Sequence, residues 1–261
     1  MLGLGGSLSI ASGYSSGIST PLDLSGCELW LRHNTGVEAD LDTSDEVVDH
    51  STAAGNMVDG DKIDGWLDQS SSRRDAEQDT GGDAPLWVAA SNSVNYASGK
   101  YMNITSGKEI TEGSGSDFTF VWRGTISGTG TSMTFFGNST TDFWRINSGA
   151  KVIRTKIGGA HAVSFTESTA LETDVLYTFT LTRNGGTIEV RVDGGSSTVL
   201  TDHQWGGTTG EDTDAFTVSN IGAAADDANG WRGIVKHAMY YTGALTTAQR
   251  NELQDWLKNN D

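Results

Sequence analysis

The sequence predicts an all-β protein: a two-sheet antiparallel jelly-roll sandwich, with an N-terminal arm and a short C-terminal helix. Three observations carry this expectation. The chain of 261 residues holds 34 Gly and only 2 Pro, which suits many short strands joined by tight turns. Several segments alternate apolar and polar residues with a period of two. Apolar residues fall at helical spacing in one place only, near the C-terminus.

The elements follow in chain order. Residues 1–24 form a Gly/Ser-rich arm, whose composition alone is that of a flexible tail. Its large side chains, Leu2, Leu4, Leu8, Ile10, Tyr14 and Ile18, are too few to make a core of their own. They are expected to contact a neighbouring subunit by strand addition, so that the arm serves assembly and the domain proper runs from 25 to 261. The segment CELWLR (27–32) reads as a strand, and DLDTSDEVVD (40–49) as an acidic loop. Further strands are read at FTFVWRGTI (118–126), KVIRTKI (151–157), FTVSNIG (216–222) and GIVKHAMYY (233–241). In VLYTFTLTR, Val175, Tyr177, Phe179 and Leu181 share one face and threonines the other. In TIEVRVD, Ile188, Val190 and Val192 point in, with Glu189 and Arg191 out. The NGG between these two segments predicts a hairpin with Asn184-Gly185 at the turn, since both residues tolerate positive φ. A helix over 246–259 opens on a capping box of Thr246 and Gln249, and Leu253, Trp256 and Leu257 form its apolar stripe.

Charge and cysteine content narrow the function. Cys27 is the single cysteine, so no intrachain disulfide forms. In its apolar setting it reads as a small buried hydrophobe. The formal net charge is −17. Such a field repels nucleic-acid backbones and anionic membranes, so neither is expected as a partner. No apolar run is long enough to span a bilayer. The first residues lack the charged and apolar regions of a secretory signal.

The segment DGDKIDGWLDQSSSRRDAEQ, from Asp59, has the alternating aspartates of a calcium loop. A helix–loop–helix calcium site needs oxygen ligands at its first, third and fifth positions and a bidentate Glu at its twelfth. Here the fifth position is Ile63 and the twelfth Ser70, so that reading fails. Asp59 and Asp61 remain weak candidates for a looser calcium site; no other cofactor is indicated. The second half of the segment resembles a known family. Leu29-Trp30-Leu31, then Trp66, Asp68 and Ser70, then Ala76 and Gln78, follow the order seen in the concanavalin A-like lectin/glucanase superfamily, in its laminin-G-like form. Val192-Asp193-Gly194 resembles that family's central hairpin end, and the last segment its closing strand and helix. The resemblance implies the jelly roll, with Trp66 packed under a turn that the Asp68 side chain holds through backbone N–H groups.

The superfamily includes glucanases, whose paired carboxylates sit on one strand as E-x-D-x-x-E. Glu38-Ala-Asp40 begins that pattern, but Thr43 stands where its second Glu belongs, and the expectation is a protein without enzymatic activity. The histidines are scattered without zinc-ligand spacing. Sugar binding would run through aromatic platforms in polar loops. Trp205 beside Asp202, His203 and Gln204 is the first candidate, followed by Trp87 and by Trp231 with Asn229. The resemblance to phage-type modules, together with the arm, suggests a capsid decoration subunit on a virion surface. Its expected partners are a major capsid protein, further copies of itself and a host-surface glycan. The alternatives are a glycan-binding adhesion module of a tail or fibre, and a bacterial carbohydrate-binding protein or glycoside hydrolase relative.

Overall fold

The computed structural model describes residues 17–39, 57–97, 99–138, 142–158, 161–166, 170–194, 203–204, 214–224 and 229–261. A single turn of 3₁₀-helix (Pro21–Asp23) precedes the strands. The first strands are β1 (Cys27–Arg32), β2 (Val37–Ala39), β3 (Ile63–Trp66), β4 (Ala76–Glu77), β5 (Leu86–Val88), β6 (Ser93–Tyr96) and β7 (Met102–Ile104). Next come β8 (Ile110–Glu112), β9 (Phe118–Thr125), β10 (Met133–Gly137), β11 (Phe143–Ile146), β12 (Val152–Ile157) and β13 (His161–Thr166). The last are β14 (Leu176–Asn184), β15 (Thr187–Gly194), β16 (His203–Gln204), β17 (Phe216–Val218), β18 (Asn220–Ile221) and β19 (Gly233–Thr242), followed by α1 (Thr247–Asn259).

Two antiparallel sheets face each other. An eight-stranded sheet runs β16-β15-β14-β9-β19-β6-β5, with β1 also paired to β19. A nine-stranded sheet runs β13-β12-β11-β10-β18-β7-β4-β3-β2, and β8 pairs with β17 beside them. Period-two alternation sorts the side chains into two cores. Leu29 and Leu31 of β1, Phe120 and Trp122 of β9, and Ala238 and Tyr240 of β19 point between the sheets. Their neighbours Trp30, Val121, Met239 and Tyr241 point the other way, into a second cluster with Leu253, Trp256 and Leu257 of α1. The helix therefore forms a third layer, on the outer face of the eight-stranded sheet. This explains why Thr178, Thr180 and Thr182, opposite the apolar face of β14, are buried as well.

The capping box of α1 is present: Gln249 N–H donates to Thr246 Oγ1 (3.3 Å) and Thr246 N–H to Gln249 Oε1 (2.9 Å). The end of the arm packs on its own domain. Ile18 lies against the second cluster and Leu24 is part of it. Trp256 Nε1 donates to Ser19 O (2.8 Å), and the Tyr241 hydroxyl to Pro21 O (3.3 Å). Ile18, expected to contact a neighbouring subunit, is half-buried and finds apolar surface on this second cluster of its own domain. Leu2, Leu4, Leu8, Ile10 and Tyr14 lie outside the described residues.

Two local expectations shift. The β14–β15 turn is centred on Gly185-Gly186, both at positive φ (57° and 86°), while Asn184 still pairs with Thr187. The segment 216–222 divides into β17, paired with β8, and β18, which bridges β10 and β7. The turn after β3 matches the resemblance. Asp68 Oδ1 accepts from the N–H groups of Trp30 and Ser70 (2.8 Å each). Its Oδ2 accepts from the Ser70 hydroxyl (2.6 Å) and the Arg74 N–H (2.9 Å). Trp66 is buried beneath and donates to Arg32 O (2.9 Å). The opening aspartates thus belong to a fold element: Asp61 accepts from Val58 N–H (2.7 Å) and Asp59 from Ala89 N–H (3.0 Å). Among the described residues no group of three or more His, Cys, Asp or Glu is placed to hold a metal ion.

Candidate functional site

With α1 over one sheet, the outer face of the nine-stranded sheet is the face the helix leaves uncovered. Strand register shows what that face carries. Directly opposed residues in antiparallel strands share a face. Lys156, Phe143, Gly137, Asn220, Asn103, Glu77 and Gly65 are opposed in turn across β12, β11, β10, β18, β7, β4 and β3. Their sequence neighbours Trp144, Phe136, Ile221, Met102, Ala76 and Trp66 point into the core. The alternation that builds the core therefore also sets out a polar row on the opposite surface.

Part of this row opens into a cleft of about 440 Å³. Three carboxylates (Glu77, Asp79, Glu109) and three amides (Asn103, Asn138, Asn220) line it, with the hydroxyls of Thr105, Ser106 and Ser219. The wall is held from within. The Ser219 hydroxyl is within hydrogen-bond reach of Asn138 Oδ1 (2.8 Å) and Asn220 Oδ1 (2.6 Å), and its one proton serves one of these oxygens at a time, while the amide NH₂ groups are donors. Thr105 Oγ1 donates to Glu77 Oε1 (2.9 Å). At the rim, Arg74 donates to Glu109 O (2.9 Å) and pairs with Glu28 (2.8 Å), fixing the chain before β8. A surface of carboxylates, amides and hydroxyls offers acceptors and donors at short intervals. Vicinal hydroxyls, each both donor and acceptor, match that pattern.

The residues first considered for sugar binding are placed differently. The rings of Trp87 and Trp231 are buried at 1% and 0% exposure and present no face to a sugar. Trp231 packs edge-on against Trp122 (5.0 Å between centroids) and tilted on Phe135 (4.8 Å). These two assignments are corrected: the cost of leaving so much apolar surface wet drives both rings inward. Asn229 is exposed at positive φ (55°) and gives its carbonyl to Thr134 N–H (2.8 Å), a turn role. His203 and Gln204 form β16 at the edge of the other sheet, away from the cleft strands. Trp205 and Asp202 lie outside the described residues. Cys27 is half-buried, and burial, first among several causes, pushes its thiol up to about 12, consistent with an unreactive group.

Sequence reasoning missed the cleft residues. Glu77 lies between the Ala76 and Gln78 that were read as a fold motif. Asn103 stands between Met102 and Ile104, and Asn220 precedes Ile221. Each is one polar residue on a very short strand, a pattern that reads as ordinary surface. The available signal was cross-strand, and only register supplies it.

No family model matches this chain, and no curated protein does. Solved structures share its fold. An arabinofuranosidase complexed with arabinofuranosyl-alpha-1,2-xylobiose is similar at a TM-score of 0.50 and 12% identity, over 76% of this chain and 51% of that one. Trypanosoma rangeli sialidase is similar at 0.48 and 16%, over 90% of this chain and 33% of that one. Domain 4 of AbnA, a GH43 extracellular arabinanase from Geobacillus stearothermophilus, in complex with arabinotriose, gives 0.49 and 11%, over 88% and 98%. The chain thus spans about a third of the sialidase and about half of the arabinofuranosidase. The likeness shows a β-sandwich of the kind found in glycoside hydrolases. It overturns the expectation of a non-enzymatic phage capsid decoration subunit. These neighbours are glycoside hydrolases and a domain of one, and at these identities the likeness is one of fold.

Proposed function

We propose that this chain is a laminin-G-like jelly-roll relative of the glycoside hydrolases, and that its cleft takes an oligosaccharide. The observation that carries the reading is the lining of the cleft, where carboxylates, amide NH₂ groups and hydroxyls from separate strands meet on the sheet face away from α1. The fold shared with the arabinofuranosidase supports it. Calorimetric titration with a panel of neutral pentose and hexose oligosaccharides tests it. Binding should fall at least tenfold in Asn103→Ala and Glu77→Gln, both at exposed positions where the fold is indifferent. A panel without a binder, or binding unchanged in both variants, overturns the proposal.

A second reading rests on the same carboxylates. Glycoside hydrolysis uses two carboxyl groups flanking the scissile bond, and Glu77, Asp79 and Glu109 line one cleft. Release of reducing ends from a bound oligosaccharide, lost in Glu77→Gln or Glu109→Gln while affinity is kept, assigns chemistry to the cleft. Release unchanged in both variants excludes these two residues as the catalytic pair.

A further inference from the structure

The same outer face carries a second cluster, on β11 and β12. Arg145 and Arg154 are directly opposed across the two strands. The Arg145 guanidinium lies 4.2 Å from the centroid of the Phe143 ring, and that of Arg154 lies 5.9 Å from it. Phe143 is thereby covered to 3% exposure. Like charges placed directly opposite on a sheet repel, and sequences avoid the arrangement unless something offsets it. In a chain with 34 acidic and 17 basic residues, a carboxylate partner for each arginine would be easy to supply. No carboxylate pairs with either arginine among the described residues. Arg145 Nε donates to Asn147 Oδ1 (3.1 Å), and Arg154 Nε is buried with no hydrogen-bond partner. Burial and the Arg154 charge both lower the Arg145 pKa, as expected where two cations share a partly dry site without an anion. The exposed Ser164 stands directly opposite Arg154 and adds a hydroxyl.

This cluster is separate from the cleft. Gly137 lies between them in the row, and a Cβ there would meet Ala224 Cα at 2.7 Å and Ala223 O at 2.9 Å. The backbone of 223–224 therefore crosses the face at Gly137, with the carboxylate-lined cleft on one side and the arginine pair on the other. An anion is repelled by the first and drawn to the second.

We propose that Arg145 and Arg154, with the Phe143 ring beneath them, form a second binding site that takes the oxyanion of an acidic saccharide, a uronate carboxylate or a sulfate ester. The guanidinium pair supplies fork-shaped donors suited to either oxyanion. That the anion is borne by a sugar rests on the carbohydrate reading of the cleft; that the site takes an oxyanion does not.

The test titrates the intact protein with an oligogalacturonate, a sulfated dextran oligosaccharide of the same length, inorganic sulfate and a neutral oligosaccharide that the cleft binds. The acidic oligosaccharides should bind the wild-type protein. Their affinity should drop at least tenfold in Arg145→Gln/Arg154→Gln and weaken as salt is added. Which of the two acidic oligosaccharides binds tighter distinguishes carboxylate from sulfate. Asn103→Ala should weaken the neutral ligand alone, so failure at the cleft and failure at this site are separable. Melting curves verify folding, and single Arg154→Gln serves if the double variant is unstable. The proposal is overturned if neither acidic oligosaccharide binds, or if binding survives the arginine substitutions. Binding of inorganic sulfate alone supports the oxyanion site and overturns its assignment to a sugar.

Discussion

Replacing Asp68 by alanine removes the acceptor of four hydrogen bonds at once. Asp68 is 2% exposed, and three of its donors are the backbone N–H groups of Trp30, Ser70 and Arg74. The fourth is the Ser70 hydroxyl, which can rotate to another acceptor. Each backbone N–H left buried without a partner costs about 1–3 kcal/mol. The Arg74 N–H lies on the part-buried side, where water can reach it, so the expected loss is about 3–5 kcal/mol. Asparagine separates shape from charge. It can keep an oxygen at the Oδ1 position for Trp30 and Ser70, but its NH₂ group then faces the Arg74 N–H, donor to donor. Asp68→Asn should therefore cost about 1–3 kcal/mol, less than alanine. Urea unfolding followed by tryptophan fluorescence measures both, since Trp66 and Trp30 lie beside the turn. An Asp68→Ala variant within 1 kcal/mol of wild type, or an Asp68→Asn variant as unstable as the alanine, refutes the reasoning.

Three further outcomes are expected. Trp256→Ala removes a ring 8% exposed, its edge contact with Trp30 (5.6 Å) and its bond to Ser19 O, and should cost ~3–5 kcal/mol in the same assay; an unchanged midpoint would mean that α1 is not docked. Deleting residues 1–24 should lower the melting temperature, because Leu24 leaves the second cluster and Trp256 and Tyr241 lose their acceptors; a melting curve that matches the full chain contradicts this. Burial pushes His33 down to about 4. A depressed histidine pKa means that the unfolded chain binds the proton more readily, so this contribution to stability is complete above pH ~6.5 and is lost as pH falls toward 4. Proton NMR should show the His33 ring neutral at pH 6, and a midpoint near 6.5 refutes its burial.

The fold was legible in the sequence where one element carried its own signal. Thr246 and Gln249 announce a helix start, and the alternation in β14 and β15 announces a hairpin, because capping and pleating act between near neighbours. The turn centre slipped by one residue because Asn and Gly both tolerate positive φ, and NGG offers two adjacent pairs that can occupy it. Trp87 and Trp231 were harder. A tryptophan within two residues of a glycine or proline looks like a loop platform in one dimension, and only the packing of Phe135, Trp122 and Phe179 around Trp231 reveals a core residue.

The candidate site was illegible for a related reason, and that reason also accounts for its position. A two-sheet sandwich has two outer faces. The apolar residues that face α1, Trp30, Val121, Met239 and Tyr241, commit one of them to packing. The other can carry polar side chains without harm to the core, since every outward residue of β18, β7 and β4 alternates with an inward Ile221, Met102 or Ala76. Polar residues at such positions are cheap for folding, so no local rule marks them in the sequence. What distinguishes Asn220, Asn103 and Glu77 is that three strands far apart in the chain place them in one line. Their convergence, with Asn138 and Ser219 braced behind them, does nothing visible for the core, so it is the feature of this fold that stability alone does not explain.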